Sequence, residues 1–166
     1  MKKIFAIGLL VVVLCSTALA APKQVFRDLA WGDPVDKLGN VTPLPLGSEH
    51  DAAGVDLYMK VNDDLQLGPL KARTIIYGFF QDRLFTILIE ADDARMLSEV
   101  AKAKYGKPVD SNPFVLKELY ISGDVACQVE GKVFEEGGTM SLMSVPMAFE
   151  YEEWQKEQIK AASEAF

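Results

Sequence analysis

Histidine and cysteine, the side chains from which most nucleophilic and zinc sites are built, are almost missing from this sequence. The 166 residues include one histidine, His50, and two cysteines, Cys15 and Cys127. A serine or cysteine triad needs a base, so any such site would depend on His50. The usual cysteine and histidine sets of zinc sites cannot be assembled. We therefore expect no catalytic residues, no metal and no cofactor; a hydrolase or thiol enzyme that uses His50 is the alternative.

An excess of basic side chains is missing as well. The formal net charge is −7, from 17 lysines and arginines against 24 aspartates and glutamates. Nucleic acids and acidic membrane surfaces are bound through clustered lysine and arginine, so we expect no nucleic-acid partner. Residues 137–139 read Gly-Gly-Thr and lack the lysine and spacing of a phosphate-binding loop. The sequence thus predicts no nucleotide site.

No hydrophobic run is long enough to cross a bilayer, which takes roughly 20 apolar residues. The apolar stretch at residues 4–14 is shorter, follows Lys2 and Lys3, and precedes the small residues of Ala18-Leu19-Ala20. This order is typical of a signal peptide cleaved after Ala20. We expect residues 1–20 to be removed, residues 21–166 to be periplasmic without a transmembrane anchor, and the net charge to fall to −9 with the two lysines lost.

Lipidation at Cys15 is the alternative interpretation of this N-terminal segment. Bacterial lipoprotein signals place a small residue directly before the cysteine, whereas the bulky Leu14 precedes Cys15 here. A better cleavage site follows five residues later, so the pattern favours cleavage after Ala20 over a lipid anchor.

Cys127 is then the one cysteine of the processed chain, so an intramolecular disulfide is excluded. Val125, Cys127 and Val129 alternate with more polar neighbours, which places the sulfur on the apolar face of a strand. Burial raises the pKa of a thiol and shields it. We expect a free, buried thiol; a reactive or intermolecularly bridged thiol is the alternative.

Hydrophobic periodicity predicts a single α+β domain in residues 21–166. Its antiparallel sheet would consist of two helix-plus-three-strand units with the helices on one face, followed by a C-terminal helix. The predicted helices span residues 31–39, 92–105 and about 150–166. The predicted strands span residues 55–60, 70–80, 84–90, 116–122, 125–131 and 139–145. In the first helix, Asp33 would cap the free amides, Pro34 would take the first position and Gly39 would end the helix.

An irregular loop is predicted between residues 40 and 53. Its Glu49-His50-Asp51 cluster could hold a metal through mixed ligands, but a solvated charged loop is the simpler interpretation, and we predict no metal site. Loops and aromatic side chains dominate recognition surfaces. The candidate binding residues are therefore Trp31, Glu49, His50 and Asp51.

Aromatic side chains suggest a second kind of site. Tyr77 and Phe79 would share one face of their strand, and Phe85 would lie on the next strand. This density of apolar side chains is typical of plain core. A carrier of a small apolar ligand would instead have a cavity walled by Tyr77, Phe79 and Phe85.

The mature N-terminal region, with Phe26 and Trp31-Gly32, and the helix end Tyr-Gly-Lys-Pro at 105–108 resemble small uncharacterised exported proteins of Gram-negative bacteria. Tyr77 and Phe85 complete this set. The predicted helix-plus-meander repeat is similar in outline to the β-lactamase-inhibitor-like fold and to BamE-type outer-membrane lipoproteins. Those families bind proteins, which the resemblance implies here. The chain lacks the inhibitors' disulfides and a clear lipidation signal, so no functional residue is carried over.

The sequence as a whole favours an exported binding or interaction protein over an enzyme. Its partner would be another periplasmic or envelope protein, with a small apolar ligand as the alternative. Composition and periodicity do not determine the oligomeric state.

Overall fold

The computed structural model describes residues 23–45, 52–112, 115–131 and 136–164. The predicted signal peptide and the candidate residues Glu49, His50 and Asp51 lie outside them. None of the described helices is long and apolar enough to cross a membrane. The strands are β1 Gln24–Phe26, β2 Leu29–Ala30, β3 Val41–Pro43, β4 Val55–Lys60, β5 Gln66–Leu67, β6 Leu70–Phe80, β7 Arg83–Ala91, β8 Asp110–Asn112, β9 Leu116–Ser122, β10 Val125–Gly131 and β11 Gly138–Ser144. The helices are α1 Ala94–Tyr105 and α2 Val145–Glu164, and a 3₁₀ turn spans Val35–Leu38.

One antiparallel sheet forms the centre of the molecule. Its strands lie in the order β3-β4-β6-β7-β11-β10-β9-β8, and β5 pairs with β6 beside this path. The two halves meet where β7 pairs with β11. The short β1-β2 ladder is separate from this sheet. The α+β class predicted from the sequence is confirmed.

The β6-β7 hairpin is the longest in the sheet, and a two-residue turn closes it. Gln81 and Asp82 have φ of 51° and 60°, the left-handed conformation that a tight hairpin turn requires. The ladder is interrupted by a bulge after Gly78, so that Gly78 pairs with Thr86 but Phe79 pairs with Leu84. Phe85 is the extra residue, and the bulge turns its ring to the opposite side of the sheet from Phe79.

One side of the sheet, which we call the α1 face, carries Tyr77, Ile87, Leu142 and Cys127. Other elements of the chain cover this face. Helix α1 packs on β9, β10 and β11. The N-terminal strands cover the other half, and their apolar side chains join the same cluster. The ammonium of Lys104 at the end of α1 donates to the carbonyl of Val25 at 2.9 Å, which joins the two parts of this layer.

The opposite side, the α2 face, carries Gly78, Thr86, Met143 and Ala126. Helix α2 follows β11 directly and packs against a small cluster around Phe80, Phe85 and Met147 at one end of this face. The two helices therefore lie on opposite faces. The 3₁₀ turn and α1 correspond to the two helices predicted to share one face, and both contribute side chains to the α1-face cluster. The separately predicted C-terminal helix lies on the other face, because the direct β11-α2 junction turns α2 away from α1.

The predicted repeat of a helix and three strands is not observed. Each half of the sheet contributes four strands to the main path, because β3 and β8 form at its two edges. Both are three residues long and polar or proline-containing, so periodicity does not reveal them. The helix predicted at 31–39 is one 3₁₀ turn, in which Pro34 is the N-cap residue. Asp33 accepts from the Ala30 N–H and from Lys37 instead of capping the helix amides.

The other long elements agree with the periodicity. Asp93 caps α1 by accepting from the Met96 N–H at 3.0 Å, and Gly106 ends the helix with φ of 83°. The predicted bounds of β4, β6, β9 and β10 match the structure, and β7 and β11 differ by single residues at their ends. The C-terminal helix begins earlier than predicted, at Val145.

Two glycines determine how closely α1 approaches the sheet. Gly131 and Gly138 pair directly between β10 and β11, and Ala94 at the start of α1 lies above both. A Cβ on Gly138 would be 2.5 Å from the Ala94 Cβ and 2.7 Å from the Glu130 carbonyl oxygen. Relief of these two contacts would require the backbone of the helix or of the strand to shift.

We predict that Gly138→Ala lowers the free energy of unfolding by about 3 kcal/mol, because the helix must move away from the sheet. Gly68→Ala is the matched control, since Gly68 has φ of 62° and open space around it, and only left-handed strain of about 1 kcal/mol applies. Urea unfolding measures both losses. Equal losses in the two variants would contradict the close-packing account.

Candidate functional site

Trp31, the one described member of the predicted binding set, lies against the core rather than on an open surface. It is partly buried and packs on the α1-face cluster. The next residue, Gly32, donates its N–H to the Leu84 carbonyl at 3.0 Å. In the described chain the indole N–H of Trp31 is a buried donor without an acceptor, which costs about 1–3 kcal/mol. The structure does not bring Trp31 together with a described polar partner.

The three aromatic residues proposed as a ligand-pocket wall do not form one wall. Tyr77 and Phe79 are buried on the α1 face, whereas Phe85 is buried on the α2 face. Their exposed fractions are 1%, 2% and 4%, and their rings pack against core neighbours. This places all three in close packing, as is typical of core residues.

Tyr77 also belongs to a hydrogen-bond network beneath the N-terminal strands. Its hydroxyl donates to the Asp63 carboxylate at 2.8 Å, and Arg27 donates to the same carboxylate and to the Asp64 carbonyl. Burial, with the neighbouring Asp63 charge, raises the pKa of Tyr77. The hydroxyl therefore stays protonated and joins the β1-β2 turn to the turn after β4.

Cys127 is a completely buried side chain on the α1 face. Burial raises the pKa of its thiol to about 12. The thiolate, which is the nucleophile, is therefore scarce at neutral pH. These observations support the buried-thiol interpretation of Cys127.

A buried carboxylate lies under α1. Glu118 on β9 accepts from the Ser98 hydroxyl and from the Tyr120 hydroxyl, both at 2.6 Å, and lies 3.4 Å from the Lys102 ammonium. Burial opposes ionisation of Glu118, but these hydrogen bonds and the Lys102 charge outweigh it and lower the pKa of the carboxyl. With three donors around it, the carboxylate is a satisfied structural group that attaches α1 to β9.

Helix α2 is attached to its face by an aromatic cluster. The rings of Tyr151 and Trp154 stack, and Phe80 meets both edge-on with centroid distances of 5.2 and 5.7 Å. Trp154 lies directly on Gly54, where a Cβ would be 2.5 Å from the indole ring. Glu150 adds an ion pair with Arg83 at 2.6 Å. The attachment ends there, and residues 155–164 of α2 are exposed throughout.

The rest of the α2 face is apolar although no other described element packs on it. Ile121 is 54% exposed and Met59 37%, while Leu57, Leu88 and Leu119 are partly buried. Leu57, Ile76, Gly78, Thr86 and Leu88 line a shallow depression of about 220 Å³. An antiparallel sheet that ends at solvent normally presents polar side chains there. This surface is the candidate functional site.

Strand β9 shows the feature most clearly. Its covered side carries Glu118 and Tyr120, and its open side carries Leu119 and Ile121. With Leu116 also on the covered side and Lys117 on the open side, both sides of β9 carry apolar residues, and the usual polar-out pattern is absent. Sequence reasoning missed this surface because alternation within 116–122 does not show which side faces the core. The sequence did contain a sign of this surface. In β6, β7 and β9, apolar residues occupy odd-numbered as well as even-numbered positions, so both sides of these strands are apolar.

The sheet edges are less suited to binding than the face. Pro43 in the edge strand β3 has no N–H to offer, and β8 at the other edge is three exposed polar residues, Asp110–Asn112. Addition of a partner strand is therefore disfavoured at both edges.

Other depressions lie outside this apolar centre. One, of about 690 Å³, lies at the polar margin of the α2 face, where Lys117, Glu130 and Thr139 line it with Arg73 and glycines of β10 and β11; both cations face carboxylates within 3.6 Å. A second, of about 450 Å³, runs between Leu67-Gly68-Pro69 and the outer side of α1 at Met96 and Val100. Among the described residues no three His, Cys, Asp or Glu side chains are grouped to hold a metal.

Comparison with known proteins gives no assignment: no family model, curated protein or solved structure matches the chain.

Acid should weaken the fold through Glu118. A carboxyl whose pKa is lowered in the folded state stabilises the protein above the pKa of the unfolded chain, about 4.3, and this stabilisation is lost as the pH falls through the folded pKa. We predict that Glu118→Gln costs about 3 kcal/mol at pH 7 and that the difference from the wild type shrinks below pH 4. Denaturant unfolding between pH 3 and 7 measures it, with the exposed Glu157→Gln as control. A constant difference across this range would show that Glu118 is not ionised in the fold.

Proposed function

We propose that this chain is an exported periplasmic interaction protein that acts by binding another protein through the α2 face. The observation that carries the proposal is the apolar, uncovered part of this face, and above all Leu119 and the exposed Ile121 on the open side of β9. Apolar patches that remain outside the packed layers of a domain mark interaction surfaces.

The shape of the face favours a protein over a small molecule. Pockets for small ligands are typically about 300–1,000 Å³ and enclose their ligand. The depression in the apolar centre of the α2 face is about 220 Å³ and opens onto a broad sheet surface, and the larger one at its margin is lined by charged side chains that pair with each other. Protein interfaces use such broad surfaces, with an apolar centre and a polar rim. Here Glu90, Glu130 and Lys117 supply polar groups at one margin.

A carrier of a small apolar molecule is a second candidate, favoured by the groove of about 450 Å³ beside α1. Leu67, Pro69, Met96, Val100 and Ala103 give it apolar walls. It lies on the opposite layer from the α2 face, so the two candidates make separate predictions.

Cleavage of the signal peptide and the identity of the bound partner can be tested together by native mass spectrometry of protein isolated gently from the periplasm. We expect the mass of residues 21–166, because cleavage follows Ala20, and an added mass of protein size. An increment of a few hundred daltons would favour the carrier. A chain that retains a lipidated Cys15 would contradict the export route proposed here.

Photo-crosslinking tests the surface itself. We predict that a photoreactive residue at Ile121 crosslinks to a protein in the periplasm, and that Leu88→Asp in the same chain abolishes the product because it places an unpaired charge in the interface. The control position is Ile159, which is 70% exposed on the distal part of α2. Crosslinking from Ile159 with none from Ile121 would contradict the proposed surface.

A further inference from the structure

The groove beside α1 has apolar walls from two separate segments of the chain. One wall is the outer side of α1 and the other is the turn between β5 and β6. The apolar residues of the two walls are Met96, Val100, Ala103, Leu67 and Pro69. The helical members follow the three- and four-residue spacing of one helix face. Met96, Val100 and Leu67 also pack against the core cluster, so the fold itself holds both walls in place.

The groove has the size of one hydrocarbon chain. From Met96 to Lys104 the helix rises about 12 Å, at 1.5 Å per residue. The hydrocarbon core of a bilayer is about 30 Å thick and holds two chains end to end, so one chain spans about 15 Å. The volume of about 450 Å³ lies within the range of small-ligand pockets. A single chain therefore fits along α1.

A positive charge without an acidic partner among the described residues lies at the C-terminal end of the groove. The Lys104 ammonium donates to the Val25 carbonyl at 2.9 Å and lies 5.3 Å from the centroid of the Tyr105 ring. Partial burial, with the nearby Lys23 charge, lowers the pKa of Lys104, whereas a neighbouring carboxylate would raise it. An ammonium has three N–H donors, so two remain for a ligand.

The acidic side chain of the groove is already compensated. Glu99 lines the helical wall, and the Lys102 ammonium lies 3.3 Å from its carboxylate. Exposed charges more than about 8 Å away are largely screened at physiological salt. An anion at Lys104 therefore meets a local positive excess, although the chain as a whole is acidic.

We infer that this groove binds a free long-chain carboxylate, with the hydrocarbon chain along α1 and the carboxylate at Lys104. Apolar walls with one cation at one end match a ligand that has one chain and one negative charge. The groove lies in the layer opposite the α2 face, so the inference does not depend on the protein-binding function proposed for that face. It names the ligand class of the carrier that is the second candidate function.

Titration calorimetry of delipidated residues 21–166 with decanoate, decanol and decyltrimethylammonium tests the charge preference at constant chain length. We expect decanoate to bind one-to-one and about fivefold more tightly than decanol, the gain of an ion pair at a surface. The net negative charge of the protein favours the cationic probe, so a preference for decanoate reports the local charge at Lys104. Octanoate should bind more weakly, by about two- to fourfold for each methylene removed.

Two variants locate the site. Lys104→Met retains an apolar stem without the charge, so we expect it to bind decanoate and decanol equally. Its matched control is Lys107→Met, outside the groove, which should keep the preference. Ala103→Phe places a ring in the groove and should abolish binding of both probes, whereas Ala161→Phe, at an exposed position of α2, should not. Circular dichroism of each variant verifies folding.

Four results would overturn the inference: no binding of decanoate, equal affinity of the wild type for decanoate and decanol, tighter binding of decyltrimethylammonium, or undiminished binding by Ala103→Phe. None of them bears on photo-crosslinking from Ile121, which tests the α2 face separately.

Discussion

The pairing of β6 with β7 is the contact on which the rest of the structure depends. These are the longest strands, and they lie in the middle of the sheet order. Phe79 follows the regular alternation of β6 onto the α1 face, while the bulge in β7 places Phe85 on the α2 face. Phe79 then belongs to the main core, while Phe85 and Phe80 anchor α2. In a regular ladder Phe85 would not reach the α2 face, and α2 would pack on Phe80 without it. The bulge in this one hairpin therefore lets β6 and β7 contribute to the packing on both faces of the sheet.

Much of the fold follows from periodicity, and the failures have physical reasons. Long strands such as β6 and the capped helix α1 carry many residues of one period, so local pattern and tertiary packing agree. The strands β3 and β8 are too short to show a period and exist because a neighbour offers hydrogen-bond partners. The position of Phe85 depends on the bulge, and the face that α2 covers depends on its direct junction with β11. Neither is a property of a local pattern.

The candidate site was harder to predict than the fold, because sequence alternation does not identify the core side of a strand. In β9 the buried side carries Glu118, which is acceptable only because Ser98, Lys102 and Tyr120 satisfy its carboxylate. Two of these partners come from α1, outside the strand itself. Once that side is occupied, Leu119 and Ile121 must face outwards. The apolar open side of β9 is therefore linked to how a buried carboxylate is satisfied.

The central claim is that this outward apolar face is covered by protein when the chain functions. Hydroxyl-radical footprinting of residues 21–166, alone and in periplasmic extract, tests it directly, because methionine side chains report their own exposure. The account predicts that oxidation of Met59 and Met143, on the α2 face, is lower in periplasmic extract than in the isolated chain, while oxidation of Met96 on α1 is the same in both. Equal oxidation of Met59 and Met143 in the two samples would contradict a face that is covered by protein.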